Sequence, residues 1–181
     1  IKESSQVGLL CFSDRKEAYV KPGKGDKHAY QIISKLYDTQ PVSTKTDLNA
    51  GMNYLLNILK RRSIIILVSD FIDDGYLKNL KAISRKHDLI VVHLSDKRET
   101  HLPSLGIVPV YDKESRKTIW VNSSSSFFRS RVSSTYAGTR KNLEDFCRKH
   151  QADYLSIATE EDYVPKLINL FRVRKKIRKS A

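Results

Sequence analysis

Asp70 stands directly after the run Ile-Ile-Ile-Leu-Val-Ser, and Asp73 and Asp74 follow closely. Upstream, Thr46 and Asp47 close a polar stretch that precedes a leucine-rich segment. Carboxylates and a hydroxyl at the ends of apolar segments are hard oxygen donors. They suit Mg²⁺, which wants octahedral oxygen coordination and keeps several waters. The same residues have a plainer use. An Asp before a helix caps it, and acids in a first turn favour the helix dipole. Asp47 reads as the cap of the leucine-rich segment, and Asp73 and Asp74 as the acidic start of the next helix.

Other chemistry is poorly supplied. A Mg²⁺-dependent phosphoryl-transfer enzyme or nuclease would use Asp70, Asp73 and Asp74, since two-metal sites cluster carboxylates. Without an acid at a second strand end the cluster is thin. The run 21–27 (KPGKGDK) lacks Walker spacing, and no Gly-x-Ser-x-Gly elbow occurs. His28, His87, His93, His101 and His150 stand apart from one another, and none is assigned a catalytic part. Cys11 and Cys147 make neither a zinc spacing nor a disulfide framework; both read as reduced core thiols.

Elements must place these side chains. Val7–Ser13 and Ala18–Val20 read as an antiparallel hairpin, since the connection is short. A helix is expected from Asp26 to Leu36, with Tyr30, Ile33 and Leu36 on one face. The next starts at Asp47 and turns Leu48, Met52, Leu55, Leu56 and Leu59 inward. Ile64–Val68 is apolar at every position, as for a strand covered on both faces. A third helix spans Gly75–His87 and a strand Leu89–Leu94. Ile107–Tyr111 and Thr118–Val121 form a second hairpin. A long helix runs from about Ser126 to His150, then a strand Tyr154–Ala158 and a last helix from about Glu161. Strands alternating with helices predict an α/β fold with a mostly parallel sheet, helices on both faces and an antiparallel hairpin at the edge. In such a sheet, ligands bind beyond the carboxyl ends of the strands, where Asp70 stands.

The 181 residues fit one domain over 1–171 with a basic tail over 172–181. The formal charge is +13, and Arg172, Arg174, Lys175, Lys176, Arg178 and Lys179 concentrate six of the positive charges. A run of that kind makes weak contact with anionic surfaces or remains a solvated end. No aromatic cluster or finger spacing suggests specific nucleic-acid binding. No apolar run is long enough for a membrane helix, and no secretory leader is visible. The expected location is the cytoplasm, with the periphery of the inner membrane as the second choice.

The runs VGLLCFS, KGDKH, Thr46-Asp47-Leu48, KRRSIIILVSDF, RKHDL, SDKRETHLP and TEEDYV occur in this order. Together they resemble the bacterial domain-of-unknown-function family found beside MoxR-type AAA+ ATPases, whose members carry a von Willebrand factor A-like domain. The resemblance implies a Rossmann-type sheet and a metal-ion-dependent adhesion site. Such a site takes an Asp-x-Ser-x-Ser motif from the first strand, a Thr matching Thr46 and an Asp matching Asp70, with Mg²⁺ in the full-length protein. It implies docking rather than catalysis, with Asp47 and Asp73 beside the site as partner contacts. The partner would be a MoxR-type ATPase or a membrane-complex protein.

The chain departs from that pattern in one respect. No Asp-x-Ser-x-Ser precedes Val7, so the first strand, the first helix and the motif's ligands are expected upstream of Ile1. The chain alone is expected to bind Mg²⁺ weakly or not at all. In the family's sheet the first strand lies between those matching Val7–Ser13 and Ile64–Val68. Compensation is expected by direct pairing of these two, by strand exchange or by self-association.

Overall fold

The computed structural model describes residues 5–96, 103–112 and 117–180. The chain divides into two compact units, each described here by itself. The fold is mixed α/β: one three-stranded parallel sheet, two separate antiparallel hairpins, and helices between them.

The first unit begins with strands β1 (Val7–Phe12) and β2 (Lys16–Gly23), which pair antiparallel with Leu9 opposite Val20 and Cys11 opposite Ala18. Ala18 and Val20 are buried. Helix α1 (Asp26–Asp38) follows a Gly25 cap in the left-handed region (φ 83°), where glycine carries no Cβ penalty. The cap expected at Asp26 is therefore one residue earlier and uses no side chain. Tyr30, Ile33 and Leu36 do share a face, but they are exposed rather than packed. Helix α2 (Leu48–Ile58) buries Leu48 and Met52. A Cβ at Gly51 would lie 2.3 Å from the Phe12 ring, so α2 comes this close to β1 only with glycine there. The start of α3 (Leu77–Lys86) belongs to this unit, and the rest of the helix to the second.

The second unit holds β3 (Ile64–Ser69), β4 (Asp88–Ser95) and, after three further elements, β7 (Asp153–Ala158). They form a parallel sheet in the order β3-β4-β7, with Ser69 opposite His93 and His93 opposite Ser156. Strands β5 (Ile107–Asp112) and β6 (Lys117–Asn122) form a hairpin of their own rather than an edge of the parallel sheet. Helix α4 (Ser126–Lys149) starts where expected, its Ser125 cap accepting from the Phe128 N–H. Helix α5 (Val164–Ser180) continues through the basic run.

The two apolar strands differ. The central strand β4 buries Leu89, Ile90, Val91 and Val92 in succession, so both its faces are covered. Strand β3 alternates. Ile65 and Leu67 are 6% and 3% exposed, while Ile64, Ile66 and Val68 are 53%, 52% and 53% exposed. The double coverage expected for Ile64–Val68 therefore belongs to β4 instead. Position in the sheet decides this, since β3 has one strand neighbour and β4 has two. Among the described residues β1 pairs with β2 and β3 with β4.

Around β4, Ile90, Val92 and Ile157 form a cluster against which Leu94, Leu155 and Leu170 pack. Full burial stabilises by about 1.5–3 kcal/mol for each large aliphatic side chain. At the amino ends of the strands, Arg174 of α5 pairs with both Asp88 on β4 and Asp153 on β7. One guanidinium fork thus ties the last helix to two strands. Among the described residues no helix is long and apolar enough to cross a membrane.

Candidate functional site

In the first unit, the acids serve the amino end of α2. Asp47 Oδ1 accepts from Ala50 N–H at 2.9 Å, the N-cap bond expected from the sequence. Asp73 Oδ2 accepts from Leu48 N–H at 2.7 Å, and its Oδ1 from Asp74 N–H at 2.7 Å. Asp47 and Asp73 are thus brought together on one helix start. Between them they satisfy backbone donors that a helix start leaves unpaired. Asp74 is exposed.

Thr46 is exposed in the loop that leads into Asp47. That loop is anchored by a residue sequence reasoning passed over. Glu17 on β2 accepts from Val42 N–H at 3.0 Å, Ser43 N–H at 3.2 Å and Ser13 Oγ at 2.5 Å. The Ser13 hydroxyl and these backbone donors hold the Glu17 carboxyl below its ordinary range.

In the second unit, Asp70 follows the last residue of β3 at the carboxyl edge of the parallel sheet, and it is exposed. Its turn is closely specified. Ser69 Oγ accepts from Phe71 N–H at 3.0 Å, and Asp70 Oδ1 accepts from Ile72 N–H at 3.3 Å. Phe71 takes φ 56°, a left-handed conformation costly for a bulky residue. Its ring is buried and meets the His93 ring edge-to-face, centroids 5.9 Å apart at 84°.

His93 is buried on β4, where its Nδ1 lies 2.8 Å from the Tyr154 hydroxyl of β7. Burial, then the Arg140 cation, lowers its pKa against the opposing pull of Asp70. Burial raises the Tyr154 pKa, and Arg140 and a hydrogen bond from Ser156 oppose that shift. His93 thus belongs to the edge that carries Asp70, although the sequence assigned it no part. The one available signal was a histidine inside an otherwise apolar strand.

Thr46 belongs to the first unit and Asp70 to the second. Both are hard oxygen donors, but two such donors make only part of a Mg²⁺ shell. Among the described residues no group of three or more His, Cys, Asp or Glu side chains is placed to hold a metal.

Of the two thiols expected in the core, Cys147 lies there and Cys11 does not. Cys147 is buried and Cys11 half-buried; both are free. Burial, helped by Glu144, pushes Cys147 up to about 12.

Two runs that carry the resemblance have structural duties or fall elsewhere. In TEEDYV, Glu161 Oε1 accepts from Ala158 N–H at 2.6 Å and pairs with Lys166 at 2.5 Å, closing the turn after β7. Asp162 accepts from Val164 N–H at 3.0 Å at the start of α5. Most of SDKRETHLP, including His101, lies outside the described residues.

Comparison with known proteins gives relatives without an assigned activity. The chain is 23% identical over 159 residues to an uncharacterized Mycobacterium avium protein, MAV169, covering 86% of this chain and 94% of that one. It is 22% identical over 175 residues to Mb1516 of Mycobacterium bovis and to Rv1480 of Mycobacterium tuberculosis, both uncharacterized. Those alignments cover 95% of this chain and 55% of each relative, so the chain spans about half the length of these two. No solved structure gives a significant match. The family model described as protein of unknown function DUF58 matches residues 1–142, and the chain belongs to that family.

Proposed function

We propose that this chain is a non-enzymatic docking module with a von Willebrand factor A-like architecture, and that Asp70 is the contact through which it recognises another protein. The observation that carries the reading is the Asp70 turn. An exposed carboxylate stands at the carboxyl edge of a parallel sheet, on a backbone held in a costly conformation by buried groups behind it. Strain of this kind persists where the surrounding structure over-determines it, and it clusters at ligand clamps. The carboxyl edge is also where open α/β sheets bind ligands.

The partner class, a MoxR-type AAA+ ATPase or a membrane-complex protein, rests on the sequence resemblance, as does the cytoplasmic or inner-membrane-peripheral location. The joint ligand role of Thr46 and Asp70 rests there too. Mg²⁺ belongs to the full-length protein in this reading. There Thr46 and Asp70 are two of its oxygen donors, and the ion would complete its shell with an acidic side chain of the partner. The donors present here do not fill such a shell, so the docking contact is assigned to the Asp70 carboxylate.

The alternative, a Mg²⁺-dependent phosphoryl-transfer enzyme or nuclease, needs Asp70, Asp73 and Asp74 as an acidic cluster. Asp73 is poorly suited, because both its carboxylate oxygens accept backbone N–H bonds.

The test uses the full-length protein and a purified MoxR-type ATPase, with and without Mg²⁺. Asp70→Ala and Thr46→Ala are expected to weaken binding at least tenfold while leaving the unfolding midpoint nearly unchanged. Unaltered binding in Asp70→Ala sinks the docking reading. Metal-dependent turnover of a phosphoester, abolished in the same variant, establishes the enzyme instead.

A further inference from the structure

Three strands place a polar row on one face of the parallel sheet near its carboxyl edge: Ser69, His93 and Ser156 stand opposite one another in register. Tyr154, two residues before Ser156 on β7, reaches His93 Nδ1 with its hydroxyl at 2.8 Å. The two rings lie 6.1 Å apart, tilted by 47°. On the other side of His93 is the turn that leaves β3, with the buried Phe71 ring edge-on to the imidazole.

The imidazole is therefore held from two sides: the Tyr154 hydroxyl of β7 at Nδ1, and the Phe71 ring of the turn after β3. Phe71 follows directly on the residue whose carboxylate is exposed.

We propose that His93, oriented by Tyr154, is a positioning residue for Asp70: it backs the Phe71 ring, and so keeps the turn after β3 in the left-handed conformation that presents the Asp70 carboxylate. Without that backing, Phe71 has reason to leave φ 56° for an ordinary region, and the carboxylate direction goes with it. Ser69 and the Asp70 carboxylate cap the turn from within. Those local bonds shape a turn but do not tie it to the sheet; the packing of Phe71 on His93 does. This is a claim about geometry, and its value for recognition rests on the docking reading of Asp70.

The experiment uses the chain as it stands. Amide hydrogen exchange is followed in Tyr154→Phe, which removes only the hydroxyl that orients the imidazole. Exchange at Phe71 and Ile72 is expected to speed at least tenfold more than at Val91 inside β4. His93→Ala, which removes the ring that Phe71 packs on, is expected to do the same, and His93→Phe, which restores a ring, to recover most of the protection. Exchange that is unchanged at Phe71 and Ile72, or that rises equally at Val91, reduces His93 to an ordinary core residue and overturns the proposal. If His93→Ala does not fold, Tyr154→Phe and His93→Phe decide the question. Asp70→Asn keeps Oδ1 and is expected to leave the exchange pattern intact. Failure of the docking reading would appear only in the ATPase binding experiment, and failure of the positioning role only here.

Discussion

The two ends of the parallel sheet use similar side chains in opposite ways. At the amino end, Asp88 and Asp153 both pair with Arg174, whose side chain is only 15% exposed, and His87, just before Asp88, is buried. At the carboxyl end, His93 is also buried, but the Phe71 ring it packs against follows directly on Asp70, whose carboxylate stands exposed. Charge at the first end is consumed in joining α5 to the strands. Among the described residues no ion pair is formed by Asp70, and it is to this exposed carboxylate that the docking reading assigns the contact.

The sharpest way to break the contrast is Arg174→Ala. It takes the shared cation away from two partly buried carboxylates on β4 and β7 and removes one of the ties of α5 to the strands. Partial exposure discounts the cost below that of a fully buried pair, giving a loss of about 2–3 kcal/mol in urea unfolding. A loss under about 0.5 kcal/mol would mean that the amino end is no more committed than the other.

Asp73→Ala is next. Removing the acceptor of the Leu48 N–H frays the start of α2, at about 1–2 kcal/mol, readable as a lowered urea midpoint. Combined with Asp47→Ala the loss should depart from additivity, since both carboxylates cap one helix start. Asp70→Ala, by contrast, is expected to cost no more than about 0.5 kcal/mol.

A smaller effect separates the histidines from solvent. Burial, and then Lys86, lowers the His87 pKa; Nδ1 accepts from Ser63 N–H at 3.4 Å and, among the described residues, Nε2 has no hydrogen-bond partner. A folded-state pKa below the unfolded value means that the unfolded chain binds more protons at mild acidity. Stability is therefore full above the ordinary histidine pKa of about 6.5 and declines as pH falls from there through the folded value. His93 adds in the same direction. Urea midpoints at pH 7.5 and 5.5 check this, and a midpoint that rises toward pH 5.5 contradicts it. The least visible change concerns the thiols: at pH 8 Cys147 should resist iodoacetamide for as long as the protein stays folded, with Cys11 reacting first.

Much of the architecture was legible in local pattern. The two hairpins, the strands at 64–69, 88–95 and 153–158, the long helix from Ser126 and the Asp47 cap all follow from apolar runs, turns and capping residues close together in sequence. The position of Asp70 after its strand was legible for the same reason. Strand coverage was not. Ile64–Val68 and Leu89–Leu94 are equally apolar, and only strand order makes β4 central and leaves three β3 side chains half exposed. The face of α1 shows the same limit, since periodicity gives Tyr30, Ile33 and Leu36 a common side without supplying anything to cover it.

What the sequence determined by itself, then, was the kind and order of the elements and an acid at a strand end, because these depend on residues within a few positions of one another. Tertiary structure decided what each acid does. Asp73 finds the Leu48 amide 25 residues away, His93 finds Tyr154 61 residues away, and Arg174 finds Asp88 86 residues away. Hydrogen bonds are short-ranged and directional, so their partners exist only once the strands and helices have been brought into register.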